Sequence, residues 1–327
     1  MAFWPSEVVI ISNIIFHRCV EKHSDFKSEV LAGLSREQKS IPPKLLYDDD
    51  GSHLFTEITS LDEYYLTRLE SEILAENREE LSEILRDTNT LVEFGGGDLS
   101  KARGFIDMIP QLECYAVVDI ADDFMLKNAR KLSEIYPGLK IIAICSDFSK
   151  RFDLIDLPKT GKRVFLFLGS SIGNFEPAQT VDFFRNCSMA MKNGDFLILG
   201  VDAPKDAKIL ERAYNDSRGI TAKFNLNLLR RINREMDANI DISNFTHRAI
   251  YNHKLKRIEM HLVVKRDDTY TISGKSVRFR SGEHIHTENS YKYDIEDVKM
   301  YASRAGLRVN RVFQDKNGFY SVYMIGK

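Results

Sequence analysis

The apolar residues of this chain fall into short, nearly continuous runs that alternate with segments of helical periodicity. Apolar runs of five to eight residues separated by helices are typical of parallel strands that helices cover on both faces. The pattern therefore predicts an α/β fold with a doubly wound, mainly parallel sheet. The predicted strands are 90–94, 114–119, 139–145, 163–168 and 195–202, and the predicted helices are 69–87, 99–109, 122–135 and 178–191.

The pattern changes after Asp202, where polar helical sequence is followed by segments that alternate apolar and polar residues. Such alternation is typical of antiparallel strands with one solvated face. A last helix and two strands then flank the turn 315–318, and they could add an antiparallel pair to the edge of the parallel sheet. These segments are the helical stretch 205–236, the strand regions 249–265 and 268–290, the helix from Asp294, and the strands around 308–313 and 319–325.

The domain organisation follows from this change of pattern. We predict one doubly wound domain formed by residues 1–202 and 289–327, interrupted by an inserted α+β unit at 203–288. The length of 327 residues agrees with about two domains at roughly 150 residues each.

Composition narrows the class of protein. The chain is 43% hydrophobic and 29% charged, and its 46 basic and 48 acidic residues give a net charge of −2. Such a chain can bury a sizeable core, and it has no bulk electrostatic attraction to nucleic acid or to an anionic membrane. We expect neither partner.

The N-terminal apolar run 8–16 is too short for a transmembrane helix, which needs about 20 residues, and Glu7 precedes it where a signal peptide would be basic. We expect a packed strand or helix there and a soluble, cytoplasmic protein. The cysteines are widely spaced, so we expect reduced and mostly buried thiols and no cysteine-based zinc site. They are Cys19, Cys114, Cys145 and Cys187.

Candidate ligand-binding groups follow the predicted strands, at the edge where open α/β sheets bind ligands. The first strand ends in Glu93-Phe94-Gly95-Gly96-Gly97, the second in Asp119 and the third in Asp147-Phe148. Glycines allow a close backbone approach, and Asp119 can accept hydrogen bonds from ribose hydroxyls. Asp147 supplies a further acceptor, and Phe148 can bracket an adenine. The glycine run alone fits a tight turn equally well. Ser100 breaks the dinucleotide-binding GxGxxG pattern and no Walker motif is present, so the strand ends together resemble class I S-adenosylmethionine-dependent methyltransferases.

Longer motifs narrow that resemblance. From about residue 20 to the end, the chain resembles the histidine-specific Nα-methyltransferase family of ergothioneine biosynthesis. The matching stretches are 41–44 with 47–48, 51–55, 63–68, 167–177, 200–202, 213–216, 224–227, 258–260, 282–283 and 287–290.

The resemblance implies three successive S-adenosylmethionine-dependent methylations of the α-amine of L-histidine, which give hercynine. It implies that the inserted unit binds the substrate and that Tyr47 and Asn174 lie where the amine reacts. The implied cofactor residues are Tyr47, Gly95, Gly97, Lys101, Asp119, Asp147 and Phe148. The implied substrate residues are Tyr64, Asn174 and Tyr214 at the amine and carboxylate, and Met260, Glu288 and Ser290 around the imidazole.

Other interpretations stay open for these residues. Taken singly, the tyrosines fit core packing, Asn174 fits a turn, and Glu288 fits a solvated strand. His284, His286 and Glu288 alternate and could together hold zinc or iron, although the family uses no metal and we expect none. The same reaction on tryptophan, tyrosine or another amine, and ligand binding without turnover, are the alternative functions. We expect a monomer, since no heptad or symmetric apolar surface is visible.

Overall fold

The computed structural model describes residues 7–18, 22–97, 99–149, 152 and 154–327, with the backbone alone for 7, 22–25 and 100. The chain forms two compact units, each assembled from separate segments. Unit 1 comprises Met1–Val20, Leu66–Pro204 and Lys292–Lys327, and unit 2 comprises Glu21–Tyr65 and Lys205–Tyr291.

The described residues form fourteen strands and ten α-helices. The strands are β1 Glu7–Ile11, β2 Ile14–Arg18, β3 Thr88–Phe94, β4 Cys114–Asp119, β5 Lys140–Cys145, β6 Lys162–Phe167, β7 Phe196–Asp202, β8 Phe245–Asn252, β9 Arg257–Val264, β10 Asp268–Ile272, β11 Lys275–Phe279, β12 His284–Tyr291, β13 Arg308–Gln314 and β14 Tyr320–Gly326. The helices are α1 Lys22–Leu34, α2 Asp49–Ile58, α3 Tyr65–Glu76, α4 Arg78–Leu85, α5 Ser100–Ile106, α6 Asp122–Ile135, α7 Pro177–Ala190, α8 Ala207–Tyr214, α9 Ile220–Glu235 and α10 Ile295–Arg304. Three short 3₁₀ helices cover Pro43–Leu46, Ser171–Asn174 and Ile242–Asn244.

Unit 1 is built on one sheet in the order β1-β2-β5-β4-β3-β6-β7-β14-β13 over the described residues. The strands from β2 to β7 are parallel, and β14 is antiparallel to both β7 and β13. This confirms the doubly wound sheet and the antiparallel pair at its edge. The strand order reverses at β3, which places a crevice for a ligand at the carboxyl ends of β3 and its neighbours.

The core of unit 1 explains why its strands are apolar almost throughout. Leu91, Val92 and Phe94 of β3 are fully buried, because helices cover both faces of the sheet. On one face the rings of Phe167 and Phe183 lie 4.5 Å apart.

Two long predicted helices are divided in the structure. The stretch 69–87 forms α3 and α4, which separate at Asn77. The stretch 205–236 forms α8 and α9, because the Asp216 carboxylate accepts hydrogen bonds from the first two backbone N–H groups of α9 and so starts a new helix. These capping bonds hold the pKa of Asp216 below its usual value, against the raising effect of its burial.

The N-terminal apolar run forms strands, one of the two expected possibilities. β1 and β2 make a hairpin, and β2 extends the sheet beside β5. In the described residues no helix has the length and apolar character needed to span a membrane.

The three described cysteines, Cys114, Cys145 and Cys187, are buried thiols, whereas Cys19 lies outside the described residues. Burial raises the pKa of the Cys114 thiol to about 11, and it also raises the pKa of the Cys187 thiol.

Unit 2 contains a three-stranded antiparallel sheet in the order β12-β9-β8 and a separate β10-β11 hairpin. Its bounds differ from the predicted insertion 203–288, because it also contains residues 21–65, which the sequence pattern placed with the parallel sheet. The reason is long-range packing within the unit. Ile41 N–H donates to His286 O over 2.9 Å, and the Asn227 side chain donates to the Asp48 carboxylate over 2.7 Å.

A β-bulge interrupts the ladder between β9 and β12. His286 pairs with His261 and Glu288 pairs with Met260, so Thr287 is the extra residue. The Thr287 hydroxyl donates to Met260 O over 3.1 Å. Because His261 and Met260 are neighbours on β9, their partners lie on opposite faces of the sheet. We call the face of Met260 the pocket face and that of His261 the histidine face.

Candidate functional site

The glycine turn after β3 brings together several residues predicted to bind a nucleoside cofactor. Gly95 and Gly97 have φ values of +68° and +54°, a conformation that a side chain would strain. Gly97 N–H donates to the Asp119 carboxylate over 3.4 Å. A Cβ at Gly95 would lie 3.5 Å from the ring of Phe148. The turn thus places a closely approachable backbone, a carboxylate and an aromatic ring next to one another.

The two predicted cofactor-binding carboxylates follow neighbouring strands. Asp119 ends β4 and accepts a hydrogen bond from Ala121 N–H over 3.0 Å. Asp147 follows β5 and accepts from Ser149 N–H over 3.1 Å. Both carboxylates are half-buried, so backbone bonds fix their direction while part of each stays accessible. These groups fit an adenosine moiety, with ribose hydroxyls donating to Asp119 and the base lying against Phe148 beside the acceptor Asp147.

Lys101, the remaining predicted cofactor residue of unit 1, lies in the first turn of α5. Its ammonium lies 2.5 Å from the buried carboxylate of Glu70 on α3 and close to Gly169 after β6. Sequence reasoning missed Glu70. The available signal was its position on the apolar side of α3, between Leu66 and Ile73, where a carboxylate needs a partner.

Three tyrosines predicted at the substrate amine belong to one aromatic cluster in unit 2. The Tyr47 ring contacts Phe55 and Phe224 edge-on, with centroids 5.5 and 5.4 Å away. Phe55 contacts Tyr64 at 6.2 Å, and Tyr64 contacts Tyr214 at 6.0 Å. Edge-to-face packing of this kind orients each ring and leaves the cluster electrically neutral. Phe55 and Phe224 lie within the quoted motifs, but their supporting role was not predicted.

The predicted imidazole-binding residues share the pocket face of the unit 2 sheet. Met260 and Glu288 are cross-strand partners, and Ser290 is two residues beyond Glu288 on the same side. All three side chains are buried. The hydroxyls of Tyr214 and Ser290 lie 2.8 Å apart, within hydrogen-bonding distance. Packing in unit 2 therefore joins the aromatic cluster to the polar groups of this face.

The half-buried His247 contacts the backbone of Tyr214. The Asn225 amide donates to His247 Nδ1 over 3.0 Å, and His247 Nε2 lies 2.8 Å from the backbone oxygen of Tyr214. Burial lowers the pKa of His247, which keeps the ring neutral near pH 7. A neutral ring that accepts at Nδ1 donates at Nε2, so this pair fixes the C-terminus of α8. Asn225 lies in the quoted stretch 224–227, yet this role was missed.

The alternative metal trio is divided by the bulge. His284 and His286 lie on the histidine face, with ring centroids 4.7 and 4.8 Å from His261, while Glu288 lies on the pocket face. Among the described residues, no group of three or more histidine, cysteine or acidic side chains is arranged to hold a metal ion. Burial and the two neighbouring histidines lower the pKa of His261 to about 4.

Asn174, predicted at the reacting amine, lies in unit 1. It ends the 3₁₀ helix Ser171–Asn174 after β6 and is half-buried. The structure thus assigns Asn174 and six of the seven predicted cofactor residues to unit 1. Tyr47 and the other predicted substrate residues belong to unit 2.

Comparisons with known proteins agree with this chemistry. A model of the family described as "Histidine-specific methyltransferase, SAM-dependent" matches residues 26–327. Histidine N-alpha-methyltransferase of Mycobacterium tuberculosis (strain CDC 1551 / Oshkosh) is 37% identical over 310 residues, which cover 93% of this chain and 96% of that protein. The protein of the same name from Mycolicibacterium smegmatis is 37% identical over 303 residues, covering 90% and 93%. Ergothioneine biosynthesis protein 1 of Schizosaccharomyces pombe is 26% identical over 299 residues, covering 88% of this chain and 39% of that protein.

Proposed function

Because the chain belongs to the histidine-specific, S-adenosylmethionine-dependent methyltransferase family, we propose that it transfers three methyl groups to the α-amine of L-histidine and produces hercynine. The match over residues 26–327 carries this proposal, since it includes the candidate residues of both units. The reaction uses the sulfonium methyl of S-adenosylmethionine as its donor.

The reaction requires the protein mainly to position the amine relative to the methyl group. The sulfonium already activates the methyl group, so the substrate amine needs to be neutral and held in line behind the bond between sulfur and methyl carbon. An α-amine has a pKa of about 8, which leaves a usable neutral fraction near pH 7. The aromatic cluster around Tyr47, Tyr64 and Tyr214 can orient this amine without supplying a charge that would keep it protonated. Its ring faces can also stabilise the cation that the third transfer creates.

The cofactor assignment follows from the geometry in unit 1. We propose that Asp119 accepts from the ribose, that Asp147 supplies an acceptor beside the adenine on which Phe148 packs, and that the turn at Gly95 and Gly97 admits the rest of the cofactor. Tyr47 stays a predicted contact to both cofactor and substrate, and Asn174 a predicted contact to the amine.

Substrate choice rests on the pocket face of unit 2. A carboxylate at Glu288 can accept a charge-assisted hydrogen bond from an imidazole N–H, with Ser290 beside it. A site built on such a bond rejects a side chain that leaves the bond unmade. We therefore prefer L-histidine to tyrosine, tryptophan or another amine.

Mass spectrometry of the products tests the proposal. The protein is incubated with S-adenosylmethionine and one amino acid at a time, and the products are examined for one, two and three added methyl groups. We expect a three-methyl product with L-histidine. A three-methyl product with another amino acid, and none with L-histidine, would show that the enzyme uses that amino acid instead. Tight S-adenosylmethionine binding without any methylated product would indicate a binding protein.

We also propose that the enzyme acts as a cytoplasmic monomer on this small-molecule substrate, without nucleic acid or membrane as a partner. The near-neutral charge supports the absence of bulk attraction to either. Light scattering at several protein concentrations tests the monomer directly, and a concentration-dependent mass would refute it.

A further inference from the structure

A buried carboxylate lies at the carboxyl edge of the unit 1 sheet. Glu70 of α3 is 1% exposed. A charge removed from water in this way is costly unless partners surround it, so its contacts indicate what it holds in place.

Three donors from three segments of unit 1 surround the two oxygens of Glu70. Gly169 N–H donates to Oε2 over 2.7 Å, and the Tyr320 hydroxyl donates to the same oxygen. The Lys101 ammonium lies 2.5 Å from Oε1. One carboxylate therefore ties the loop after β6, the start of β14 and the first turn of α5 together.

The neighbouring backbone leaves room for this carboxylate. A Cβ at Gly200 would lie 2.1 Å from Glu70 Oε2 and 2.6 Å from the Tyr320 hydroxyl. Only a glycine at this position of β7 gives the carboxylate its space. The space that Glu70 needs explains why the matching stretch 200–202 begins with a glycine.

The contacts of Glu70 point toward the proposed cofactor site. Lys101 follows the glycine turn, and Gly169 follows β6 with a φ of +73°. The Lys101 side chain remains 27% exposed, so its ammonium can meet Glu70 on one side and a ligand carboxylate on another. S-adenosylmethionine carries such a carboxylate on its methionyl part.

We infer that Glu70 is a positioning residue that holds Lys101 and the Gly169 turn in the arrangement that binds S-adenosylmethionine. This inference rests on the proposed function, which assigns Lys101 to the cofactor. Glu70 acts through these two groups and does not touch the ligand.

The test is the affinity for S-adenosyl-L-homocysteine, measured by calorimetry on the full chain without an acceptor substrate. Glu70→Gln keeps the shape of the side chain and removes its charge, and we expect the Kd to rise about tenfold or more. Glu72→Gln, an exposed carboxylate on the same helix, is the matched control and leaves the Kd unchanged. Thermal unfolding of each variant shows whether it is folded.

Tyr320→Phe is the second variant, because it removes one donor and retains the Glu70 charge. We expect a Kd increase of about two- to fivefold. If Glu70→Gln does not fold, this variant decides, and a folded Tyr320→Phe with the wild-type Kd would overturn the inference.

A double-mutant cycle separates positioning from a purely structural role. If Glu70 acts through Lys101 and the Gly169 turn, the loss of binding free energy in the double variant Glu70→Gln, Lys101→Met is smaller than the sum of the two single losses, because part of the Glu70 effect is already lost with Lys101. Fully additive losses, or a folded Glu70→Gln with unchanged affinity, would overturn the inference. A wild-type chain that binds the ligand but leaves histidine unmethylated would overturn the proposed substrate instead.

Discussion

The two units build their candidate binding groups in different ways. In unit 1 these groups follow strand ends, where the left-handed backbone at Gly95 and Gly97 and the half-buried carboxylates of Asp119 and Asp147 lie at one edge of the sheet. In unit 2 they are side chains, all buried except the half-buried Tyr47, and the sheet residues among them share one face.

The two units also place their charges differently. Unit 1 buries complete ionic contacts, including the pair of Asp202 and Lys292, whose side chains are both 0% exposed. Unit 2 places three histidines, His261, His284 and His286, together on the face opposite to Met260 and Glu288. Backbone geometry and buried ions therefore define the proposed cofactor site in unit 1. Alternation of side chains along strands defines the proposed substrate site in unit 2. Each half should therefore fail under different substitutions.

The largest effect is expected for the buried ion pair of unit 1. Lys292 lies 2.8 Å from Asp202, and Lys292→Met would remove the lysine charge that is paired with this buried carboxylate. We expect the free energy of unfolding, measured with urea, to fall by about 3–5 kcal/mol. Lys299→Met is the control, since that lysine is half exposed in its pair with Glu296 and should cost less than about 1 kcal/mol. Equal losses would remove the contrast between buried and exposed ions.

A reciprocal pair of variants separates the two proposed ligands. Glu288→Ala should weaken the affinity for L-histidine by about 2–3 kcal/mol, the value of a hydrogen bond to a charged group, and leave S-adenosyl-L-homocysteine binding intact. Asp119→Asn should do the reverse. Calorimetry with each ligand alone measures both, and Asp267→Ala, an exposed carboxylate of unit 2, is the control. Equal losses of both ligands in either variant would contradict the division of roles.

A lower pH should destabilise unit 2 through the residues of its histidine face. The pKa of His261 is about 4 in the folded chain, below the ordinary 6.5, because of burial and the neighbouring His284 and His286. As the pH falls, the unfolded chain therefore binds this proton before the folded chain does. The folded state has its full stability above about pH 6.5 and loses stability as the pH falls toward 4. Between pH 7.5 and pH 5 we expect a loss of about 2 kcal/mol in the free energy of unfolding.

Urea titrations of His261→Gln test this origin. The variant cannot take up the proton, so its stability should depend less on pH than that of the wild type, whereas His53→Gln, at an exposed histidine, should keep the wild-type dependence. Identical pH profiles for the wild type and His261→Gln would refute the assignment.

The smallest effect concerns a single hydroxyl. Tyr214→Phe removes the 2.8 Å contact with Ser290 and leaves the aromatic packing in place. We expect the affinity for L-histidine to fall by about 1 kcal/mol, roughly fivefold. Tyr270→Phe, which loses a hydrogen bond from Asn244 elsewhere in unit 2, should leave this affinity unchanged. A loss equal to that of Glu288→Ala would show that orientation by Tyr214 matters as much as the carboxylate.

Local pattern was enough to predict much of unit 1. The apolar run 114–119 and the periodic segment 122–135 have the predicted bounds in β4 and α6, because neighbouring residues alone decide such elements. The antiparallel edge formed by β13 and β14 also followed from two strands around a turn.

Long-range packing was not predictable in the same way. The membership of residues 21–65 in unit 2 depends on partners more than 150 positions away, such as Asn227 for Asp48. Glu70 lies on the apolar side of α3, but its partners Lys101, Gly169 and Tyr320 are distant in the sequence and are known only from the structure. The bulge at Thr287 depends on the strand opposite, and without it the alternation suggested a metal trio. The candidate residues came from motif resemblance, and their individual roles stay predictions.

The bulge at Thr287 also affects how this strand can change during evolution. Before it, His284 and His286 contribute to the histidine face, and after it, Glu288 and Ser290 contribute to the pocket face. Substitutions that alter substrate preference can therefore accumulate in the second half of β12 without disturbing the acid-sensitive packing of the first half. The extra residue Thr287 thus divides β12 into two parts that can vary independently.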